Sequence, residues 1–202
     1  MNLKHLGDAF DHWKCSVLKL IHSRNLRVVP MFTDDKQWTR KQLHMYAKLL
    51  GVNREDVLQT ETRFSNRSRG TYFDIPGPND VFLDPDIGIG TSKKPKKEHV
   101  TSQDVAVLLS NSRSRMLMIY QSKWLGRDMA YTLERVLSIE GLRQFHHFGY
   151  GAGQVGMVFI SHDQKRIARA LERIRHWVPG ASIDPLGSGR DITLVVRCGA
   201  HF

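Results

Sequence analysis

Cysteine is almost missing from this chain. The two present, Cys15 and Cys198, stand near opposite ends with no C-x-x-C or Cys/His ligand spacing around either. A disulfide framework and a structural zinc site of recognisable spacing are therefore not indicated. Long apolar runs are missing as well, and no stretch has the length of a membrane-spanning helix. The first twenty residues are broken by Lys4, Asp8, Asp11 and Lys14 and do not read as a signal peptide, so a reducing, cytoplasmic setting is expected. Acidic residues are in deficit: 20 Asp and Glu stand against 30 Lys and Arg, a formal net charge of +10. That excess favours a polyanionic partner, nucleic acid first, and calls for neither a membrane nor an obligate protein partner.

The 202 residues, 41% of them hydrophobic, can bury one substantial core, so a single domain over 1–202 is expected. Spacing predicts an amphipathic helix over 8–23, built on Phe10, Trp13, Val17, Leu18 and Ile21, with Asp11 and Lys14 forming a surface ion pair on its other face. Strands are expected at 26–32, 81–83, 115–120, 155–161 and 192–197, and further helices at 38–50, 101–111, 128–138 and 164–177. Residues 33–35 (TDD) suit a helix cap, 185–189 a turn, and 149–153 (GYGAG) a glycine-rich loop. Helices alternating with short apolar strands predict an α/β fold, a three-layer sandwich with a mostly parallel, Rossmann-like central sheet.

Residues 79–90 (NDVFLDPDIGIG) concentrate the chemistry. The run Val81, Phe82, Leu83 suits a strand buried on both faces, and Pro85, Gly88 and Gly90 end it abruptly. Asp84 and Asp86 are then two carboxylates at a strand's carboxyl end, where ligands bind in open α/β sheets. The plainer reading is a turn in which Asp caps amides and Gly supplies positive φ. Basic loops flank the segment. Residues 60–72 carry Arg67 and Arg69, and residues 91–99 carry Lys93, Lys94, Lys96 and Lys97, all suited to gripping phosphates or, more plainly, to being solvated. Gln121 and Trp124 follow another buried strand, Trp124 as rim residue or base-stacking platform, and His162 ends a third as cap or catalytic group.

Two of these features resemble a known layout. Residues 7–14 (GDAFDHWK) resemble the opening G-x-x-x-D-x-x-K helix of bacterial ribosomal-RNA adenine-N6 methyltransferases, and Asp84-Pro85-Asp86-Ile87 occupies the place of that family's Asp-Pro-Pro-Tyr motif. Bacterial proteins with a central D-P-D-x-G sequence are similar at the same place. The resemblance implies a base-binding role for Asp84 and places Asp11 and Lys14 near the substrate pocket. It departs in three respects. The segment 31–38 (MFTDDKQW) has no glycine where the family cradles S-adenosylmethionine, Asp86 replaces the motif's second proline, and Ile87 replaces the aromatic that stacks on the target base. The uracil-DNA glycosylase superfamily is similar in looser outline, with an acidic residue beside a D-P turn after one strand and an H-P-S type motif after a later one, where this chain has Asp84-Pro85 and then Ser161-His162 without the second motif's prolines.

The expected function is a base-directed enzyme on DNA, with RNA not excluded. Most concretely it is a DNA glycosylase using no cofactor or metal and acting on an extruded, modified or damaged base in repair or anti-phage defence. Asp84, Asp86 and His162 are its candidate catalytic groups, with Asp11, Lys14, Gln121 and Trp124 lining the pocket. Methyl transfer from S-adenosylmethionine, and a catalytically inert nucleic-acid-binding module, stand as alternatives.

Overall fold

The structure, a computed structural model, describes residues 3–23, 25–31, 38–58, 64–65, 68–90, 96–124, 126–178, 181–186 and 193–198. Its helices are α1 (Ala9–Ile21), α2 (Arg40–Leu50), α3 (Arg69–Tyr72), α4 (Ser102–Ser110), α5 (Met129–Leu137) and α6 (Gln164–Trp177). Its strands are β1 (Leu26–Pro30), β2 (Asp80–Asp84), β3 (Gly88–Ile89), β4 (His99–Val100), β5 (Met116–Ser122), β6 (His146–Ala152), β7 (Val155–Ser161), β8 (Ala181–Leu186) and β9 (Thr193–Cys198).

Seven strands form one sheet in the order β1-β2-β5-β7-β6-β9-β8, and β3 pairs with β4 beside it. β1, β2 and β5 are parallel neighbours. β7 is the return arm of a hairpin with β6 and lies antiparallel between β5 and β6. With β9 parallel to β6 and β8 antiparallel to β9, five of the seven strands share one direction, and β7 and β8 oppose them. The α/β expectation holds, with a mixed sheet that is parallel at its β1-β2-β5 end.

Alternation along the strands sends side chains to opposite faces. Val28, Phe82, Met118, Phe148 and Phe159 meet the buried stripes of α1, α2 and α6. Val29, Val81, Leu83, Ile119 and Val158 meet those of α4 and α5. β2 is buried throughout, which explains its apolar run, and Asp84 falls on the Phe82 side, facing α1 and α2.

The fold departs from expectation in several places. The GYGAG stretch is no loop, since Gly149 and Gly151 lie inside β6. A β-carbon on Gly151 would come within 2.8 Å of Met129, and one on Gly149 within 3.1 Å of Leu133, so these glycines let α5 lie directly on the sheet. Thr39, in a capping box with Gln42, starts α2, whereas residues 33–35 fall outside the described part. Pro185 belongs to β8 rather than to a turn. Of the loop expected at 60–72, the described residues Phe64 and Tyr72 are buried and pack edge-on with ring centroids 4.9 Å apart, and the adjoining Phe73 is buried against Phe64. Among the described residues no helix is long and apolar enough to cross a membrane.

Candidate functional site

α1 begins at the carboxyl edge of the parallel strands. Asp8 caps it by accepting from the Phe10 and Asp11 amides, which sets the first turn and aims positions 11, 14, 17, 18 and 21 at the sheet. Asp11 and Lys14 therefore continue the buried stripe. The expected surface ion pair is instead fully enclosed, because Asp84 at the end of β2 supplies a second counter-charge beneath the helix.

Lys14 Nζ donates to Asp11 Oδ1 at 3.0 Å and to Asp84 Oδ2 at 2.9 Å. Asp84 Oδ1 is also 2.9 Å from Nζ, close enough to attract the charge but off the hydrogen-bonding line. Tyr46, from the buried face of α2, donates its hydroxyl to Asp84 Oδ2 at 2.5 Å. The Gly7 amide donates to Asp11 Oδ2 at 2.8 Å from a residue at φ +87°. The Tyr120 ring, from β5, lies 4.4 Å from the Lys14 ammonium. Gly7, Asp11, Lys14 and Asp84 thus form one continuous chain of bonds, closed by two tyrosines.

Two carboxylates and one ammonium leave this enclosed cluster with a formal charge of −1. Burial pushes the Asp11 carboxyl above its usual value, and the Asp84 charge adds to the rise while Lys14 and the Gly7 amide oppose it. Burial alone would depress Lys14, but the Asp84 and Asp11 charges outweigh it and hold the ammonium above its usual range. Burial, followed by the nearby carboxylate charge, raises Tyr46. Burial likewise raises Tyr120, against the opposing pull of Lys14. Lys14 is accordingly held as a positive charge between the two carboxylates.

The turn after Asp84 is held from the other side by β5. Gln121, fully buried, accepts from the Ile89 amide at 2.8 Å and donates to the carbonyls of Ile87 and Ser122 at 3.1 and 2.9 Å. Its amide, expected in the substrate pocket, is spent on backbone. The same packing explains the motif's glycine. Gly88 has φ +122°, and a β-carbon there would lie 2.2 Å from Gln121 Oε1. Asp86 sits in this pinned bend, partly exposed, two residues past the enclosed Asp84.

The remaining expected residues scatter. Trp124 is a half-buried rim residue beside Tyr131, its backbone amide donating to Thr132 Oγ1. Arg69 donates to Asp104, to the His99 carbonyl at 3.1 Å and to the Lys96 carbonyl at 2.9 Å. It fastens the segment before β4 and is not presented to a phosphate as expected. Lys96 is exposed and Lys97 partly exposed, whereas Arg67, Lys93 and Lys94 lie outside the described residues. His162 is at the wrong edge. It follows Ser161, which pairs with Met116 at the start of β5, whereas Asp84 lies one position past the Leu83–Ile119 pair. The separation along the strand is on the order of 17 Å, and His162 packs edge-on against Phe145 instead. The fold therefore does not bring Asp84 and His162 together.

Sequence reasoning missed Tyr46 and Tyr120, whose places in apolar stripes read as ordinary core. Among the described residues, no group of three or more His, Cys, Asp or Glu is arranged to hold a metal ion. No family model, curated protein or solved structure matches this chain.

Proposed function

We propose that the protein acts on bases of DNA at the carboxyl edge of β1, β2 and β5, most concretely as a glycosylase that hydrolyses the N-glycosidic bond of an extruded base. The observation that carries this reading is the contrast within one turn: Asp84 is enclosed and ion-paired, and Asp86, two residues on, reaches the surface. Hydrolysis needs a carboxylate that meets both water and sugar, held still by its surroundings. Asp86 has that access, and Asp84 with Gln121 fixes the bend on which it stands. In this mechanism the bond from the sugar C1′ to the base breaks, Asp86 stabilises the positive charge on the sugar and orients the water that adds to C1′, and a proton goes to the departing base. Lys96, Lys97 and the neighbouring Lys93 and Lys94 would hold the strand through its phosphates. RNA remains an alternative polymer.

A second reading, methyl transfer from S-adenosylmethionine, is favoured by one observation. The two motifs by which the chain resembles the rRNA adenine-N6 methyltransferases meet in space through the Lys14–Asp84 pair. The three-layer, Rossmann-like layout belongs to both readings and is supported by helices packing on each face of the sheet.

The test incubates purified protein, without metal or cofactor, with DNA bearing normal and modified bases, and assays free base by mass spectrometry and abasic sites by alkali cleavage. Release that Asp86→Asn abolishes is the expected result. No release, with saturable S-adenosylmethionine binding, would replace hydrolysis by methyl transfer. Neither activity, with retained DNA binding, would leave a binding protein.

A further inference from the structure

The basic flank of α6 plays no part in the reading above. This helix carries Lys165, Arg166, Arg169, Arg173 and Arg175 against Glu172, five bases less one acid, and so accounts for +4 of the chain's +10. At 3.6 residues per turn, positions 166, 169, 173 and 177 form one stripe, set off from the buried Ile167, Ala170 and Ile174. The stripe borders a cleft of about 430 Å³ between α6, the end of α1 and the start of β2, whose lining includes His22, Asn25 and Asp80 with Arg166, Arg169 and Arg173.

The arginines are positioned by the fold without being consumed by it. Arg166 donates to Asp80 Oδ2 at 2.6 Å and to the Ser114 carbonyl at 2.5 Å. Asp80 also accepts from the Ser23 hydroxyl and the Met116 amide. Arg173 donates to the Ile21 carbonyl. Each guanidinium has five N–H donors, so both keep donors to spare. Arg169 is exposed and makes no hydrogen bond or ion pair among the described residues. Trp177, at the end of the stripe, is 62% exposed, the most exposed large hydrophobic residue among those described.

We infer that this flank binds the sugar–phosphate backbone of one nucleic-acid strand, with Arg166, Arg169 and Arg173 on phosphates and Trp177 stacked on a base. The rise from Arg166 to Arg173 is about 10.5 Å, matching three nucleotides of a stacked strand at about 3.4 Å each. Guanidinium forks bind phosphate oxygens bidentately, and an exposed indole at the end of such a row is a stacking platform. The recessed cleft admits a narrow strand, whereas the plane of a bilayer would meet only its rim. The inference goes beyond the proposed function and does not depend on it, because a catalytically inert protein would bind in the same way.

The test is fluorescence anisotropy with a labelled single-stranded oligonucleotide over a salt series. It uses the full chain, Arg169→Glu, Trp177→Ala and, in parallel, Lys93→Glu/Lys94→Glu, with circular dichroism checking that each variant is folded. Arg169 and Trp177 are exposed, so both helix variants should fold. Arg169→Glu is expected to weaken binding and to lower the salt slope by about 0.7 for each phosphate no longer neutralised. Trp177→Ala should weaken binding about fivefold or more. Weakening by both the helix and the loop variants would mean a strand that crosses both, and supports the inference. Loss confined to the lysine-loop variant would overturn the inference while leaving the proposed function standing. A wild-type protein that ignores oligonucleotides, or prefers phosphatidylserine vesicles or polyglutamate to them, would also overturn it, whatever the base-release assay gives.

Discussion

Lys14 and Asp84, seventy positions apart, meet with Nζ 2.9 Å from the carboxylate, and neither side chain is more than 5% exposed. A buried ion pair is poor evidence of stabilisation, because desolvating both charges costs about as much as their attraction returns. Removing one partner is another matter. Lys14→Met would leave two enclosed carboxylates and no cation, and the expected loss is about 3–5 kcal/mol by urea denaturation. Asp84→Asn with Lys14→Met should cost less than the sum of the single changes by at least about 1 kcal/mol, the signature of direct coupling in a double-mutant cycle. Additive costs would show that the pair only fills space.

Alkali should unfold the protein through the same cluster. Lys14, Tyr46 and Tyr120 all have folded-state pKa values above their ordinary values of 10.5, 10.0 and 10.0. Each therefore holds its proton more tightly folded than unfolded. Its contribution is complete below the ordinary value and is lost as pH rises toward the folded one. Stability measured by denaturant titration should fall from about pH 10 upward. Replacing Tyr46 with Phe should make that fall shallower, and an unchanged slope would remove Tyr46 from the account.

Gly88→Ala tests the tether between the turn and β5. Alanine would be strained at φ +122°, and its β-carbon would overlap the Gln121 amide. A loss of about 2 kcal/mol or more in thermal or urea unfolding is expected, from strain of about 1–3 kcal/mol plus displacement of Gln121. Gly88→Ala with Gln121→Ala should relieve the overlap but keep the strain. If the double variant is no better than the single one, backbone conformation alone dictates this glycine.

The elements that periodicity controls were legible in the sequence: α6 and β7 have their expected bounds, and β2 is buried on both faces as its unbroken apolar run implied. β6 was not, because its glycines answer to α5 packing across the sheet, a contact that local sequence does not encode. At the site, Asp11, Lys14 and Asp84 were singled out as residues. Their assembly depends on which face of α1 turns to the sheet, and the salt-bridge spacing of positions 11 and 14 fits a solvent face equally well. Arg69 and Gln121 carry the side-chain chemistry of ligand binders, yet backbone carbonyls and amides occupy them. A reading of types and spacing counts available donors and does not see how the fold consumes them.

The two aspartates of the central turn should separate under mutation. Asp84→Asn keeps the shape but weakens the pairing with Lys14 inside an enclosed site, so stability and any activity should fall together. Asp86 is partly exposed, and its replacement by Asn should cost less stability than Asp84→Asn while abolishing base release from DNA. Oligonucleotide affinity should be unchanged in Asp86→Asn, because the role proposed for the carboxylate is on the reacting sugar and not on the phosphates. The two variants, compared with wild type by urea denaturation, anisotropy and released base, therefore distinguish an anchoring acid from a reacting one. Activity that survives Asp86→Asn in a folded protein would mean the accessible carboxylate is not the one that does the chemistry, and the hydrolytic assignment of this turn would fall with it.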